Sequence, residues 1–539
     1  MTILYTLSSN FEDDLSENGK VELREECSGR PDPSGRNPRR YERLAVLLVA
    51  AAGFSFVVAL NLTPVSTSDF WIELKVGDVI RDSGQIPKTL EYSFTEAKDN
   101  VFIAFEWLPS LLWSYLYVID GYNGMIVVKC FFSLCIFALI VLLAVQIGRG
   151  PVLALALGCL TMLGINFRSL LRPEIIAFVL VLANLNLLYA FVRRGNPLWL
   201  VGLIPSSVIW ANSHGSFLVN LTLPIFFAAG EIIDGLWEWK RTGEKPDLLS
   251  LRRRVGWLAL AWLGTIGASL INPYGVHLFS HVAQISGKDF IRANIWEWQS
   301  PFHPRFHGEP FQIIFWGITA LIAVATAMGR NRVRATPLFL VLVFFGLALS
   351  TMRHIAWFEI MGAYFLAHTL PVTLDSQRWK ITGAIVVALV LFAGTTAVAT
   401  RGNTLGRRPG FWNDAPMNPE VIQFIRDTGI SGNVLHHYNY GDQLAYHFYP
   451  TIRVVMDTRA DAYGEEHYMQ FRRLSGGNPA LQGEPSELVD FLEKYDVRAI
   501  VTEHLNIYVW FNLGHAEALK KLGFVGAYRD RKTVILTRE

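Results

Sequence analysis

The chain has 539 residues, 51% of them hydrophobic and only 17% charged, with 48 Lys+Arg against 46 Asp+Glu and a formal net charge of +2. A water-facing surface at this length takes roughly a quarter charged residues, so an ordinary soluble enzyme and a disordered chain are excluded. The balanced charge offers no basic face to nucleic acid. Four cysteines, Cys27, Cys130, Cys135 and Cys159, lie in a polar tail or in apolar runs and show neither zinc spacing nor a disulfide framework.

Residues 1–40 are acidic and rich in Gly, Pro and Ser, lack the apolar core of a secretory signal, and read as a disordered cytoplasmic tail. Arg39, Arg40 and Arg43 precede the first apolar run and place the N-terminus in the cytoplasm. Spanning lipid takes about 20 apolar residues. On that basis spans are expected near 43–63, 122–147, 151–166, 173–192, 197–212, 216–236, 255–272, 311–328, 336–351, 354–371 and 380–399. The run 107–119 is short and contains Pro109; read as a juxtamembrane helix on the outer surface, it leaves Arg149, Arg193, Arg194, Arg330, Arg332, Arg334 and Lys380 inside. The expected fold is therefore a multi-pass α-helical membrane protein of about eleven spans over 41–400, with a long first outer loop. A soluble extracytoplasmic α/β domain over 401–539 follows it.

This topology sorts the polar residues. The basic inner loops read as topology determinants, whereas Asp69, Glu73, Glu106, Arg168, Arg172, Glu174, Asn212, His214, Glu297, Arg353 and His354 return to the outer ends. A charge near hydrocarbon is costly unless it lines a wet cavity or finds a partner, so one outward-opening cavity is expected. Asp69, just after the first span, either caps a juxtamembrane helix or serves as a base toward a hydroxyl. Arg172 and Arg168 suit a phosphate, since a guanidinium meets two phosphate oxygens and stays charged when desolvated; the bland alternatives are pairing with Glu174 or snorkelling. Asn212 and His214 can bond sugar hydroxyls or phosphate, and Arg353 and His354 either do the same or pair with Glu359. Asn272–Gly275 reads as a turn, and His277, His281, His303 and His307 are not spaced as a ligand set.

The ordered motifs resemble bacterial multi-pass glycosyltransferases of the GT-C superfamily, which use a sugar on a polyprenyl phosphate. They run through Asp69-Phe70-Trp71, Tyr92-Ser93-Phe94-Thr95, Glu106-Trp107-Leu108, Leu171-Arg172-Pro173-Glu174, Trp210 to Gly215, Asn272-Pro273-Tyr274-Gly275, Glu297-Trp298, Arg353-His354 and Asp457-Thr458-Arg459. The resemblance implies inverting sugar transfer outside a bacterial cytoplasmic membrane to a glycan, lipid or protein acceptor. It implies Asp69 as base, Glu106 as the second acidic group, and the arginines and His214 on the donor. Asp69 is flanked by Ser68 and Phe70 rather than by a second acid, so that support for a divalent cation is missing and metal dependence is left open.

The C-terminal segment alternates helix and strand: helix 419–428, strands 433–436 and 452–456, helix 486–495, strand 497–502, helix 513–522 and a hairpin of 525–528 with 533–537. This pattern implies a small, partly parallel sheet. Asp457 and Arg459, at a strand's carboxyl end, read as an acceptor or bundle contact or as a structural pair. A flippase of a lipid-linked glycan would show internal repeats, and none is visible; a non-catalytic envelope-assembly protein is the remaining alternative.

Overall fold

The computed structural model describes residues 38–371, 377–411, 414–475, 483–504, 506 and 515–538, so residues 1–37 of the tail expected over 1–40 lie outside them, and its last three residues begin a helix. Among the described residues seven helices are long and apolar enough to cross a membrane: Arg40–Asn61, Trp107–Gln146, Pro151–Arg168, Glu174–Arg194, Phe217–Thr242, Pro310–Met328 and Lys380–Arg401. Leu198–Ala211 and Ala335–Ser350 are shorter apolar helices. The expected runs 255–272 and 354–371 form Leu248–Ser269, which carries Arg252 to Arg254 near its start, and the 15-residue Ile355–Thr369. Almost every residue of Ile355–Thr369 is buried. A helix enclosed by its neighbours does not need the length of one that faces lipid alone.

The segment Trp107–Gln146 breaks where expected. Asp120 leaves helical geometry and Gly121 takes φ 55° and ψ −145°, a conformation open to glycine, which divides 107–119 from the apolar 122–146. The first half packs on helix Asp69–Ser83. At Gly77 a Cβ would lie 1.9 Å from the Ser110 carbonyl oxygen, so only glycine allows that approach. Arg81 Nη1 donates to Ser114 Oγ at 2.7 Å, and Ser114 Oγ donates to Asp78 Oδ1 at 2.6 Å. These two helices form one platform beside the bundle.

The C-terminal sheet comprises β1 (Gly432–His436), β2 (Ile452–Val454), β3 (Val497–Glu503), β4 (Val525–Arg529) and β5 (Thr533–Thr537) in the order β2-β1-β3-β5-β4. The β1–β2 and β1–β3 pairs are parallel, and β3–β5 and β4–β5 are antiparallel. The sheet is partly parallel, as the alternating pattern implied. Helices Gly441–Phe448 and Glu465–Leu474 between the strands were not anticipated.

The length of the loop that follows helix Arg40–Asn61 has a structural reason. Val454 of the edge strand β2 donates to Tyr92 O at 3.0 Å and accepts from Phe94 N at 3.1 Å, so the loop extends the sheet. Asn100 Nδ2 donates to Ala462 O and Tyr463 O. On the other side Trp71, 2% exposed, packs against Tyr446 and His447 at ring separations of 5.2 and 5.1 Å. Helix Asp69–Ser83 is thus held between the bundle and the sheet domain.

Candidate functional site

A cavity of about 820 Å³ opens where these parts meet, and it is lined by Asp69, Glu106, Arg168, Arg172, His214, Arg353 and His354. Residues spread over nearly 290 positions of sequence are thereby brought to one space. Asp69 is the first residue of its helix, and Ser68, at the N-cap, makes no side-chain cap bond. The Asp69 carboxylate instead meets Arg172, with Oδ2 2.7 Å from Nη2.

Arg172 is shared. Its Nη1 lies 2.6 Å from Glu297 Oε1, and Arg168 Nη1 lies 2.8 Å from the other oxygen of the same carboxylate. Arg168 also pairs with Glu174, whose Oε1 accepts from Trp357 Nε1 at 3.2 Å. The alternative partner Glu174 is therefore taken by Arg168 and not by Arg172. Glu297, on the short 3₁₀ turn Trp296–Trp298, is the hinge of the array. Arg168 and Arg172 hold its carboxyl well below the usual carboxylate range despite burial, and Asp69 and Glu297 in turn raise Arg172. Arg353 stacks over the Trp298 ring at 4.4 Å, an arrangement suited to a guanidinium. Its sequence-level alternative, Glu359, packs instead against the Gly164 backbone.

Two further acids of the cavity behave differently. Burial, with Asp69 beside it, pushes the Glu106 carboxyl up to about 8, and Arg353 opposes the shift. Glu73, one helical turn after Asp69, is held well above its ordinary range by burial and by Glu106 and Asp69; its Oε2 is buried with no hydrogen-bond partner among the described residues. His214 Nε2 lies 3.8 Å from Glu106 Oε1. Trp210 Nε1 donates to Ser216 Oγ, and Ser216 N donates to His214 Nδ1 at 3.1 Å. That network assigns the imidazole proton to Nε2, facing the cavity. Burial pushes His214 and His354 down to about 4, so both rings are neutral near pH 7.

Two of the sequence candidates, Asn212 and Asp457, stand apart. Asn212 accepts from Trp107 Nε1 at 2.8 Å and donates to Ile271 O at 2.8 Å, fastening the Trp107 helix to the bundle. Asp457 is fully buried and receives Arg459 Nε and Nη2 at 2.8 and 2.6 Å and Tyr463 Oη at 3.0 Å. Arg459 borders an adjoining cavity of about 150 Å³ shared with Asp69, Glu73 and Glu106. Asn272 forms the expected turn, with Oδ1 accepting from Tyr274 N at 2.8 Å. Among the described residues no three His, Cys, Asp or Glu side chains form a group able to hold a metal ion.

Sequence reasoning placed Glu73 and Glu297 among the converging polar residues but gave neither a role in the site. For Glu73 a signal existed: four residues after Asp69, it shares that helix face. The residues His437, Tyr438, Asn439, Tyr468 and Arg472, which the sheet domain adds to the cavity wall, carried no motif.

No family model and no curated protein matches the chain. Solved structures do. It is similar to the oligosaccharyltransferase of Archaeoglobus fulgidus tethered with an acceptor peptide, at 12% identity over 93% of this chain and 74% of that one, with a TM-score of 0.54. Similarity to the same organism's AglB in complex with an inhibitory peptide and a dolichol-phosphate is 11% over 93% and 74%, TM-score 0.51. ArnT from Cupriavidus metallidurans in the apo state is 15% identical over 92% of this chain and 98% of its own, with a TM-score of 0.52. These are GT-C membrane glycosyltransferases, and the chain has their fold.

Proposed function

We propose that this protein is a membrane glycosyltransferase that moves a sugar, with inversion, from a polyprenyl-phosphate donor to an acceptor hydroxyl on the outer face of a bacterial cytoplasmic membrane. The observation that carries this reading is the large cavity, in which Asp69 pairs with Arg172 and shares the space with Arg168 and Arg353. The shared fold supports it, and the convergence of the expected outer-end residues supports a cytoplasmic N-terminus and an extracytoplasmic sheet domain.

The chemistry follows from charge. The acceptor oxygen attacks the anomeric carbon while the bond from that carbon to the phosphate oxygen breaks. Negative charge then collects on the departing phosphate, where preorganised guanidinium groups stabilise it more than water does. Asp69 takes the proton of the acceptor hydroxyl. Glu106, still carrying its proton at neutral pH, donates a hydrogen bond to the acceptor, and neutral His214 donates from Nε2 to a sugar hydroxyl or phosphate. The test is transfer by purified, lipid-reconstituted protein with a panel of polyprenyl-phosphate sugars and envelope acceptors. Undiminished transfer by Asp69→Asn overturns the mechanism.

A further inference from the structure

The outer wall of the cavity belongs to the sheet domain and plays no part in the donor chemistry above. Its geometry follows from the strand order. The chain runs from β1 to β2 on one side, then crosses back to set β3 on the other side of β1. In an open α/β sheet such a reversal leaves a crevice beyond the carboxyl ends of the two strands flanking it, and ligands bind there. Here those ends are His436, followed by the turn His437–Tyr440, and Glu503. His437 Nδ1 lies 3.6 Å from Glu503 Oε1, and His437, Tyr438 and Asn439 face the cavity. The switch point of the sheet is therefore turned toward the same space as Asp69.

Helix Glu465–Leu474 closes this end. Tyr468 and Arg472, one helical turn apart, both line the cavity, and the Tyr438 and Tyr468 rings sit 6.1 Å apart at 81°. Arg472 Nε is buried yet has no hydrogen-bond partner among the described residues. A buried guanidinium N–H without an acceptor is costly and is satisfied by an incoming oxygen anion. Arg292 lines the same end, on the helix whose Phe290 packs on Tyr468 at 5.8 Å. The half-buried Tyr438 ring, backed by buried Tyr468 and flanked by His, Asn and Arg, fits a polyhydroxylated ring that carries a charge, and a guanidinium fork matches a carboxylate or a phosphate.

Building on the sugar-transfer reading, we infer that the crevice at the carboxyl ends of β1 and β3, with Tyr438, Asn439, Tyr468 and Arg472, is the acceptor subsite, and that the acceptor is a glycan bearing an anionic substituent.

The test uses the full chain in phosphatidylcholine nanodiscs. Binding is measured for a uronic-acid oligosaccharide, a phosphorylated oligosaccharide, a neutral oligosaccharide of equal length, and sugar-free polyprenyl phosphate. The wild type is expected to bind one or both acidic glycans in preference to the neutral one, and the tighter of the two identifies the anionic group. Arg472→Gln is expected to weaken that binding by about tenfold or more while leaving polyprenyl phosphate binding unchanged; Arg472→Lys is expected to retain part of it. Equal binding of the neutral glycan, or binding indifferent to Arg472→Gln, overturns the subsite. Polyprenyl phosphate binding with neither acidic glycan bound overturns the subsite and leaves the transfer reading standing, whereas failure to bind polyprenyl phosphate overturns the transfer reading instead.

Discussion

Replacing Asp69 by Asn separates two things that the structure joins, the base and the phosphate clamp. Asp69 Oδ2 and Arg172 Nη2 are 2.7 Å apart, so in the absence of donor the carboxylate occupies an arm of the guanidinium that the donor phosphate would use. At an effective dielectric near 20 two charges at about 4 Å attract by about 4 kcal/mol, but most of this is offset by desolvation. The side chains retain 18% and 32% of their exposure, which places the net coupling at the order of 1 kcal/mol. Arg172 keeps its place in the variant because Glu297 Oε1 still holds Nη1 at 2.6 Å. Asp69→Asn is therefore expected to bind sugar-free polyprenyl phosphate roughly fivefold more tightly than the wild type, while sugar transfer falls by about 10²–10⁴ as the base is lost. Native mass spectrometry of the lipid complex and a radiolabelled transfer assay read the two effects separately. Weaker phosphate binding accompanied by an equal loss of transfer would refute the reasoning, because Asp69 would then position Arg172 rather than compete for it.

Three further outcomes are expected. Glu297→Gln removes the charge that fixes Arg168 and Arg172 and leaves two buried cations under-compensated, so about 3 kcal/mol of stability is lost; the melting temperature falls and the donor binds more weakly, with Glu297→Asp milder in both. Glu106 is held up to about 8 by burial, so it carries its proton below that pH and loses it above; kcat is expected to decline as pH rises through about 8, and Glu106→Gln is expected to abolish that alkaline limb while keeping activity at pH 7. Gly77→Val, in the interior of helix Asp69–Ser83, drives a side chain into the Ser110 carbonyl, and it is expected to lower the melting temperature and to impair transfer although it touches no substrate.

Much of the fold was legible because its determinants are local. Apolar run length marks helices that face lipid, Pro109 and the shortness of its run marked a separate helix before the break at Gly121, and alternating elements marked a partly parallel sheet. Seven of the expected spans stand on length and composition alone; the buried Ile355–Thr369 is defined by its neighbours. The candidate site was legible to the extent that isolated charges at span ends are costly and so must converge. Asp69, Glu106, Arg168, Arg172, His214, Arg353 and His354 do line one cavity, while Asn212 is spent on Trp107 and Asp457 on Arg459 and Tyr463.

The sequence by itself determined which segments are apolar enough to span and which polar groups need a wet or paired environment, because those are properties of a residue and its near neighbours. Only the tertiary structure decided who pairs with whom. That Glu297 joins Arg168 to Arg172, that Asp69 closes on Arg172 rather than capping its helix, and that the long loop after the first span enters the C-terminal sheet beside Val454 all depend on contacts across 100 to 360 positions. An ion pair is set by a separation of a few ångströms in space, and no local pattern encodes a distance that exists only once the chain has folded.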